Sequence, residues 1–324
     1  MSRFESFLAP QLEEYIAYRK HLGYAKNPTI SYLRTFDRYV KQKKTDCKLL
    51  QPSFFLELRK DLKVEPRSFN AILYSLRGFF KFMVRRAYYI QNPLKDIPPC
   101  EEGFIVPFVF SPEQTNQLLA AACKGLRKTR KDLLTDMAIY LALVLLARCG
   151  MRISEPTRLL LTHYRSAEKT LYIEKTKFKK DRLIPIPASV EVEIENYLAV
   201  RKSFSPTDKN PFLLADKEQQ PLRGHQVRAT FHKAVRDIGL NQARQILGNM
   251  TFSAPTPHSL RHSFAVNSLI RIKERGLSPQ HALPVLAAYM GHSKYKHTVV
   301  YLKLLDAEQR KDLAAFVDSR HNTP

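Results

Sequence analysis

Residues 258–265 read His-Ser-Leu-Arg-His-Ser-Phe-Ala, and this stretch decides how the whole chain is interpreted. His258 stands three residues before Arg261, so the two side chains lie on the same side of the helix that starts here. A guanidinium offers phosphate oxygens a planar fork of donors, and an imidazole can accept or donate a proton near neutral pH. The stretch therefore predicts a helix start that carries phosphate-binding and proton-transfer groups.

Three other segments carry related groups. Residues 149–155 read Cys-Gly-Met-Arg-Ile-Ser-Glu, and residues 176–185 read Thr-Lys-Phe-Lys-Lys-Asp-Arg-Leu-Ile-Pro. Residues 290–293 read Met-Gly-His-Ser, and Tyr301 lies nine residues beyond His292. Together the segments supply arginines, a lysine, histidines and a tyrosine, which is a set of groups suited to phosphoryl transfer.

The four segments resemble the motifs of the tyrosine recombinase (phage integrase) family, and most closely those of transposon-encoded integrases. The resemblance covers residues 108–324, and the helical region before them is similar to the family's core-binding domain. Met290 stands where leucine is common and Phe178 where glycine is frequent, and neither change removes a functional group. The resemblance implies a mainly α fold with a small β-sheet, in which a SAM-like helical bundle precedes an α/β catalytic domain.

The length and composition agree with a two-domain enzyme. The chain has 324 residues, of which 44% are hydrophobic, and it has no apolar run long enough to span a bilayer. Its N-terminus has no apolar core of a signal peptide, and its four cysteines form no paired motif. These features predict a protein of a reducing cytoplasm. The expected location is the bacterial cytoplasm, with the DNA-bound form at the nucleoid.

The net charge of +23 indicates a polyanionic partner, either nucleic acid or an anionic membrane surface. A basic protein without such a partner is the alternative. The excess of lysine and arginine occurs on both sides of residue 107, as expected if both domains contact one long polyanion.

Proline and glycine cluster between Asn92 and Pro107, which predicts a linker. We therefore expect a helical DNA-binding domain over residues 1–98, a linker over 99–107 and a catalytic domain over 108–324 that ends in a tail helix. The first domain should have four helices. In the second, the patterns predict a β-hairpin over residues 170–187 and helices over residues 132–148, 189–201, 223–239 and 260–275.

Arg152 and Arg261 are expected to neutralise the charge that develops on phosphorus. Glu155, one helical turn away, is expected to orient Arg152 or to support the helix. A structural salt bridge is the alternative for either arginine. The resemblance selects Lys177 as the general acid that protonates the departing 5′-oxygen. Composition alone leaves its neighbours Lys175, Lys179 and Lys180 as rivals.

His258 is the predicted general base or proton relay for the nucleophile, and His262 a packing or supporting histidine. His292 is expected to donate to a non-bridging oxygen. The resemblance assigns the nucleophile to Tyr301, although Tyr289 and Tyr295 are alternatives on chemistry alone. Zinc binding is disfavoured because neither His258 nor His292 has a neighbouring carboxylate, so no metal and no cofactor is expected.

The resemblance implies site-specific breakage and rejoining of double-stranded DNA through a 3′-phosphotyrosine link and a Holliday junction. It implies a free monomer, a dimer on one site and a homo-tetramer in the synaptic complex, with accessory DNA-bending or sister recombinase proteins as further partners and no membrane. Phosphate contacts are predicted for the exposed basic residues of both domains, namely Arg34, Arg38, Arg67, Arg77, Lys81, Lys179, Lys180 and Arg182.

Integration and excision of a mobile element is the favoured role. The alternatives are Xer-type resolution of chromosome or plasmid dimers, a type IB topoisomerase, a binding module without catalysis, and a metal-dependent nuclease.

Overall fold

The computed structural model describes residues 4–24, 27–43, 50–174, 181–216, 220–292, 298–302 and 304. The chain divides into two compact units, Met1–Phe104 and Ile105–Pro324. Helices dominate the described residues and the strands are short, which confirms the predicted mainly α class.

The first unit has four described helices, as predicted: α1 (Ala9–His21), α2 (Asn27–Gln42), α3 (Pro52–Asp61) and α4 (Pro66–Arg85). Helices α3 and α4 each begin at a proline, whose fixed φ suits a first helical turn and whose missing N–H is not needed there. Both α1 and α2 pack against α4.

Aromatic rings fill the core of this unit. Phe55 contacts Phe80 edge-to-face, with ring centroids 5.3 Å apart, and Phe36 stacks on Phe55 at 6.1 Å. All three rings are almost fully buried. These aromatic residues of α2, α3 and α4 therefore form the core and are not available as a base-stacking surface.

The second unit is built around one helix. Its helices are α5 (Pro112–Lys124), α6 (Arg130–Arg148), α7 (Ala188–Phe204), α8 (Gly224–Asp237), α9 (Pro257–Glu274) and α10 (Pro279–Met290). Residues 138–147 of α6 are apolar on every face except at Tyr140, and α5, α7, α8 and α9 pack around this helix.

A three-stranded antiparallel sheet carries the predicted hairpin. It comprises β2 (Tyr164–Arg165), β3 (Thr170–Ile173) and β4 (Arg182–Pro185), in that order. The β3–β4 register pairs Ile173 with Arg182, so the stem of the hairpin closes immediately beside the basic turn.

Several of the described elements were not predicted, among them a second sheet and one helix. Strands β1 (Phe104–Val106), β5 (Gln245–Leu247) and β6 (Met250–Phe252) form a second sheet in the order β1-β6-β5. Helix α10 was also missed, because Pro284 lies inside it and interrupts the sequence signal. None of the described helices is both long and apolar enough to cross a membrane.

Candidate active site

Tyr301 lies in the helical residues 298–302, and its side chain packs in a small apolar cluster with Leu283 and Met290 of α10 and Leu269 of α9. It is only 3% exposed. Its hydroxyl lies 3.2 Å from Nδ1 of His262, within hydrogen-bonding distance. The phenol is therefore held in place by one histidine of the His-Ser-Leu-Arg-His stretch.

The two histidines of α9 lie differently with respect to Tyr301, and the predicted role of His258 as the base stays a prediction. His262, predicted as a supporting residue, is the one that contacts Tyr301. His258, predicted as the base, is exposed in the first turn of α9, and its ring meets that of His262 edge-to-face at 4.6 Å. Both lie on one face because they are four residues apart, and the position of Tyr301 distinguishes them.

His262 is held in its neutral form. Burial lowers its pKa to about 3, and the electrostatic effects of His258 and then of the Arg261 charge act in the same direction. A neutral imidazole whose Nδ1 is unprotonated accepts the hydrogen bond from the Tyr301 hydroxyl, which is the arrangement that a proton acceptor needs.

Arg261 is buried in the second turn of α9, with only 1% of its surface exposed. It donates from Nη1 to the Gly150 carbonyl at 2.5 Å and from Nη2 to the Met290 carbonyl at 2.6 Å. Burial and the nearby charge of Arg152 lower its pKa to about 10, so it still carries a positive charge at neutral pH.

Arg152 follows the end of α6 and is held by Glu155, as their spacing predicts. Its Nη1 donates to Oε1 of Glu155 at 2.9 Å, and its backbone N–H donates to Oε2 at the same distance. Its Nη2 donates to the Gly291 carbonyl at 3.0 Å. The side chain remains 19% exposed, so a ligand can reach it from solvent.

Arg182 was predicted to contact DNA but lies in a buried ion pair. Its Nη1 and Nη2 donate to the two oxygens of Glu155 at 3.1 and 2.9 Å, and its Nε donates to the Tyr289 carbonyl at 2.8 Å. Burial raises the pKa of Glu155, but the hydrogen bonds and charge of Arg182 hold the pKa below its usual value. The hydrogen bond from the Arg152 backbone and the charge of Arg261 lower it further. Glu155 is thus a charged carboxylate beside three guanidiniums.

The end of α10 collects these three arginines. The carbonyls of Tyr289, Met290 and Gly291 accept hydrogen bonds from Arg182, Arg261 and Arg152, respectively. The last carbonyls of a helix have no partner within it and carry its negative dipole end, so they suit cationic donors. Beyond the Met-Gly-His motif itself, no sequence pattern indicated this role.

Two glycines let neighbouring side chains pack closely against the backbone of the site. Gly150 has φ of +57°, and a Cβ there would lie 2.4 Å from Cδ1 of Phe264. Gly291 ends α10 with φ of +65°, and a Cβ there would lie 2.9 Å from Nη1 of Arg182. Each glycine therefore combines a left-handed conformation with a contact that any side chain would disturb.

The two arginines and the phenol share one electrostatic environment. Burial raises the pKa of Tyr301, whereas the charges of Arg261 and then Arg152 lower it, and burial prevails. The free protein therefore holds a protonated phenol close to two cations that favour its ionised form.

His292 lies directly after α10. Its Nδ1 is 2.8 Å from Oγ1 of Thr298, a residue with no exposed surface, and its ring stacks beside that of Tyr301 at 6.1 Å. These contacts bring His292 to the tyrosine, and the predicted hydrogen bond to a phosphate oxygen remains a prediction. No cluster of three metal-ligating side chains occurs among the residues that the structure describes.

Of the two alternative tyrosines, Tyr289 lies among the described residues, near the end of α10. The Tyr289 hydroxyl donates to the Pro185 carbonyl at 3.1 Å, and burial raises its pKa, with a further contribution from Cys149. This engages the phenol with the backbone of the hairpin. Tyr295 lies outside the described residues.

The predicted DNA-binding residues are placed unequally. Arg34, Arg38, Arg67 and Lys81 are exposed, and their contact with DNA stays a prediction. Arg77 instead donates to the Leu94 and Ile97 carbonyls, which ties α4 to the chain that follows it and occupies its guanidinium. The turn lysines, namely Lys175, Lys177, Lys179 and Lys180, lie outside the described residues.

Residues 109–308 match the phage integrase family. The chain is 28% identical over 306 residues to a putative integrase/recombinase, y4rE, from Sinorhizobium fredii, with 93% of each protein covered. It is 27% identical over 305 residues to the tyrosine recombinase XerA of Pyrococcus horikoshii, covering 93% of this chain and 91% of that one. The fold is similar to that of the Tn1549 transposon integrase in complex with transposon right end DNA. The TM-score is 0.63 and the identity 18%, and the match covers 94% of this chain and 99% of that one.

Proposed function

The chain belongs to the phage integrase family, and we propose that Tyr301 is the nucleophile with which it breaks DNA strands. It is a tyrosine recombinase, an enzyme of site-specific DNA recombination. The observation that carries the assignment is the 3.2 Å contact between the Tyr301 hydroxyl and His262, beside two arginines whose charges act on the phenol.

In the proposed reaction the phenolic oxygen of Tyr301 attacks a backbone phosphorus, and its proton passes to neutral His262. The bond from phosphorus to the 5′-oxygen breaks, which leaves a 3′-phosphotyrosine link and a free 5′-hydroxyl once that oxygen is protonated. Attack by the 5′-hydroxyl of a partner strand then restores a phosphodiester and returns the phenol. The bond energy is conserved in the link, so the strand exchange is balanced without an added energy source.

Arg152 and Arg261 stabilise the charge that builds on the phosphate in this step. Within the described residues, the guanidinium of each arginine uses two of its five N–H groups. Arg152 donates to Glu155 and to the Gly291 carbonyl, and Arg261 donates to the carbonyls of Gly150 and Met290. Protonation of the 5′-oxygen is assigned to Lys177 on the resemblance alone.

We further propose that the protein serves a mobile DNA element and works in the bacterial cytoplasm, as a tetramer that joins two DNA sites. The motif resemblance to transposon-encoded integrases supports this role, and so does the likeness to y4rE, whose name includes integrase. The similar identity to XerA favours dimer resolution as the second candidate.

Capture of covalent adducts tests the activity and also finds the DNA site. A library of nicked duplexes with random inserts is incubated with the protein, and DNA that stays attached after denaturation is sequenced. We expect one recurring site, and its occurrence at both ends of the DNA segment that carries the gene would support the mobile element. Relaxation of supercoiled DNA without site preference would instead indicate a topoisomerase.

A further inference from the structure

We propose that Arg182 is a positioning residue that ties the lysine-bearing hairpin to the arginine site and so serves the leaving-group step. Arg182 is the first residue of β4, where the chain leaves the basic turn. Its side chain is 8% exposed, and it contacts the 6% exposed side chain of Glu155 through two hydrogen bonds. An arginine that merely followed a charged surface turn would lie in solvent.

This one side chain joins three segments of the site. Glu155 belongs to the segment of Arg152, and Tyr289 and Gly291 belong to the end of α10. The guanidinium also lies directly against Gly291, where a Cβ would come within 2.9 Å of Nη1. The hairpin stem is therefore attached to the phosphate-binding arginines by hydrogen bonds from three different nitrogens of Arg182.

The directions of these bonds distinguish positioning from catalysis. Nε, Nη1 and Nη2 of Arg182 all point at a carboxylate or a carbonyl of the protein, so the group holds protein to protein. The register partner of Arg182 is Ile173, the last residue of β3, so both ends of the turn start from the stem that Arg182 anchors. A shift of the stem would misplace whichever turn lysine protonates the 5′-oxygen, and a displacement of about 1 Å can slow a reaction on the order of a hundredfold.

The inference rests on the proposed function, and a change of leaving group tests it. A 5′-bridging phosphorothioate expels a thiolate, which needs no proton from the protein. Arg182→Lys keeps the charge but cannot make the two-pronged contact with Glu155 together with the Tyr289 bond, and Arg182→Gln removes the charge as well. We expect each variant to slow cleavage of ordinary DNA at least tenfold, roughly, and to cleave the phosphorothioate at nearly the wild-type rate.

Arg165→Gln is the matched control, because Arg165 is an exposed arginine on β2 of the same sheet and pairs only with Glu168 among the described residues. It should match the wild type on both DNAs. Arg182→Lys decides the outcome if the glutamine variant fails to fold, as judged by thermal unfolding.

Equal slowing of the Arg182 variants on both DNAs would overturn the proposal, because Arg182 would then support the phosphate site or the fold as a whole. Wild-type rates on ordinary DNA would overturn it too. Failure of the proposed function gives a different result: the unmodified protein would then form no covalent adduct with either DNA.

Discussion

Replacing His262 by asparagine separates the holding of the Tyr301 phenol from the acceptance of its proton. The contact is made by Nδ1 at 3.2 Å, and the Oδ1 atom of asparagine occupies nearly the same place. Asparagine can thus keep a hydrogen bond from the hydroxyl but has no basic nitrogen. His258→Asn makes the same change one turn earlier, on a ring that is exposed and touches His262.

The size of the effect follows from the role. A positioned general base contributes about a hundred- to ten-thousandfold in rate, or roughly 3–5 kcal/mol of barrier. His262 meets the geometric requirement for such a base, because its Nδ1 is within hydrogen-bonding distance of the Tyr301 hydroxyl. Burial lowers its pKa to about 3, which keeps the ring neutral but also makes it a weaker base. We expect His262→Asn to lose cleavage by this factor and His258→Asn to lose less than about tenfold.

Single-turnover formation of the covalent adduct on a nicked duplex measures both rates, with enzyme in excess so that binding does not limit them. Filter binding of intact DNA by each variant serves as the control and should change little. A His258→Asn variant that loses cleavage while His262→Asn retains it would refute the assignment and restore the base to His258.

Three further predictions follow from the buried contacts. Arg261→Ala should slow adduct formation by about 3 kcal/mol of barrier and also lower the free energy of unfolding by several kcal/mol, roughly 1–3 for each carbonyl left without a donor at Gly150 and Met290; unchanged denaturant melts would contradict the second part. Gly150→Ala should lower the free energy of unfolding by about 2–4 kcal/mol, because φ is +57° and the new Cβ would clash with Phe264. The same denaturant melts measure this loss. As the pH decreases from 7 to 5, His262 takes up a proton in the unfolded chain but not in the folded protein, where its pKa is low, so the free energy of unfolding decreases. His262→Asn should reduce that decrease by about 2 kcal/mol in denaturant melts at the two pH values.

Sequence patterns predicted the parts of the site that depend on short spacing. Glu155 lies one turn from Arg152, and their hydrogen bonds need nothing beyond that local turn. The spacing of Tyr301 from His292 is likewise local, and the two rings stack. The helix and hairpin predictions of the second unit succeeded for the same reason, since each rested on periodicity within one segment.

Contacts across long separations could not be predicted. Arg182 and the Tyr289 carbonyl are 107 residues apart, and the Lys/Arg-rich turn around Arg182 made a surface DNA contact the simpler interpretation. Arg77 was misplaced similarly, because its carbonyl partners lie beyond the end of its own helix. Which of His258 and His262 contacts Tyr301 also depended on tertiary structure, since helical spacing puts both rings on one face.

The strands of the second sheet and α10 were missed for a different reason. Each of these strands has three residues, and those of β5 are exposed throughout, so no alternation of apolar and polar residues marks them. Pro284 in α10 contradicts the propensity rules that locate helices, and packing of Leu283 and Leu286 against α9 stabilises the helix despite it.

The most direct test of the central claim is to identify the residue that carries DNA in the trapped adduct. The adduct is formed on the nicked duplex, digested with protease and nuclease, and analysed by mass spectrometry for a peptide that retains a nucleotide. We predict that the nucleotide is attached to Tyr301, and that Tyr301→Phe binds the same DNA with unchanged affinity but yields no adduct. An adduct that persists in Tyr301→Phe, or a nucleotide on Tyr289 or Tyr295, would contradict the account.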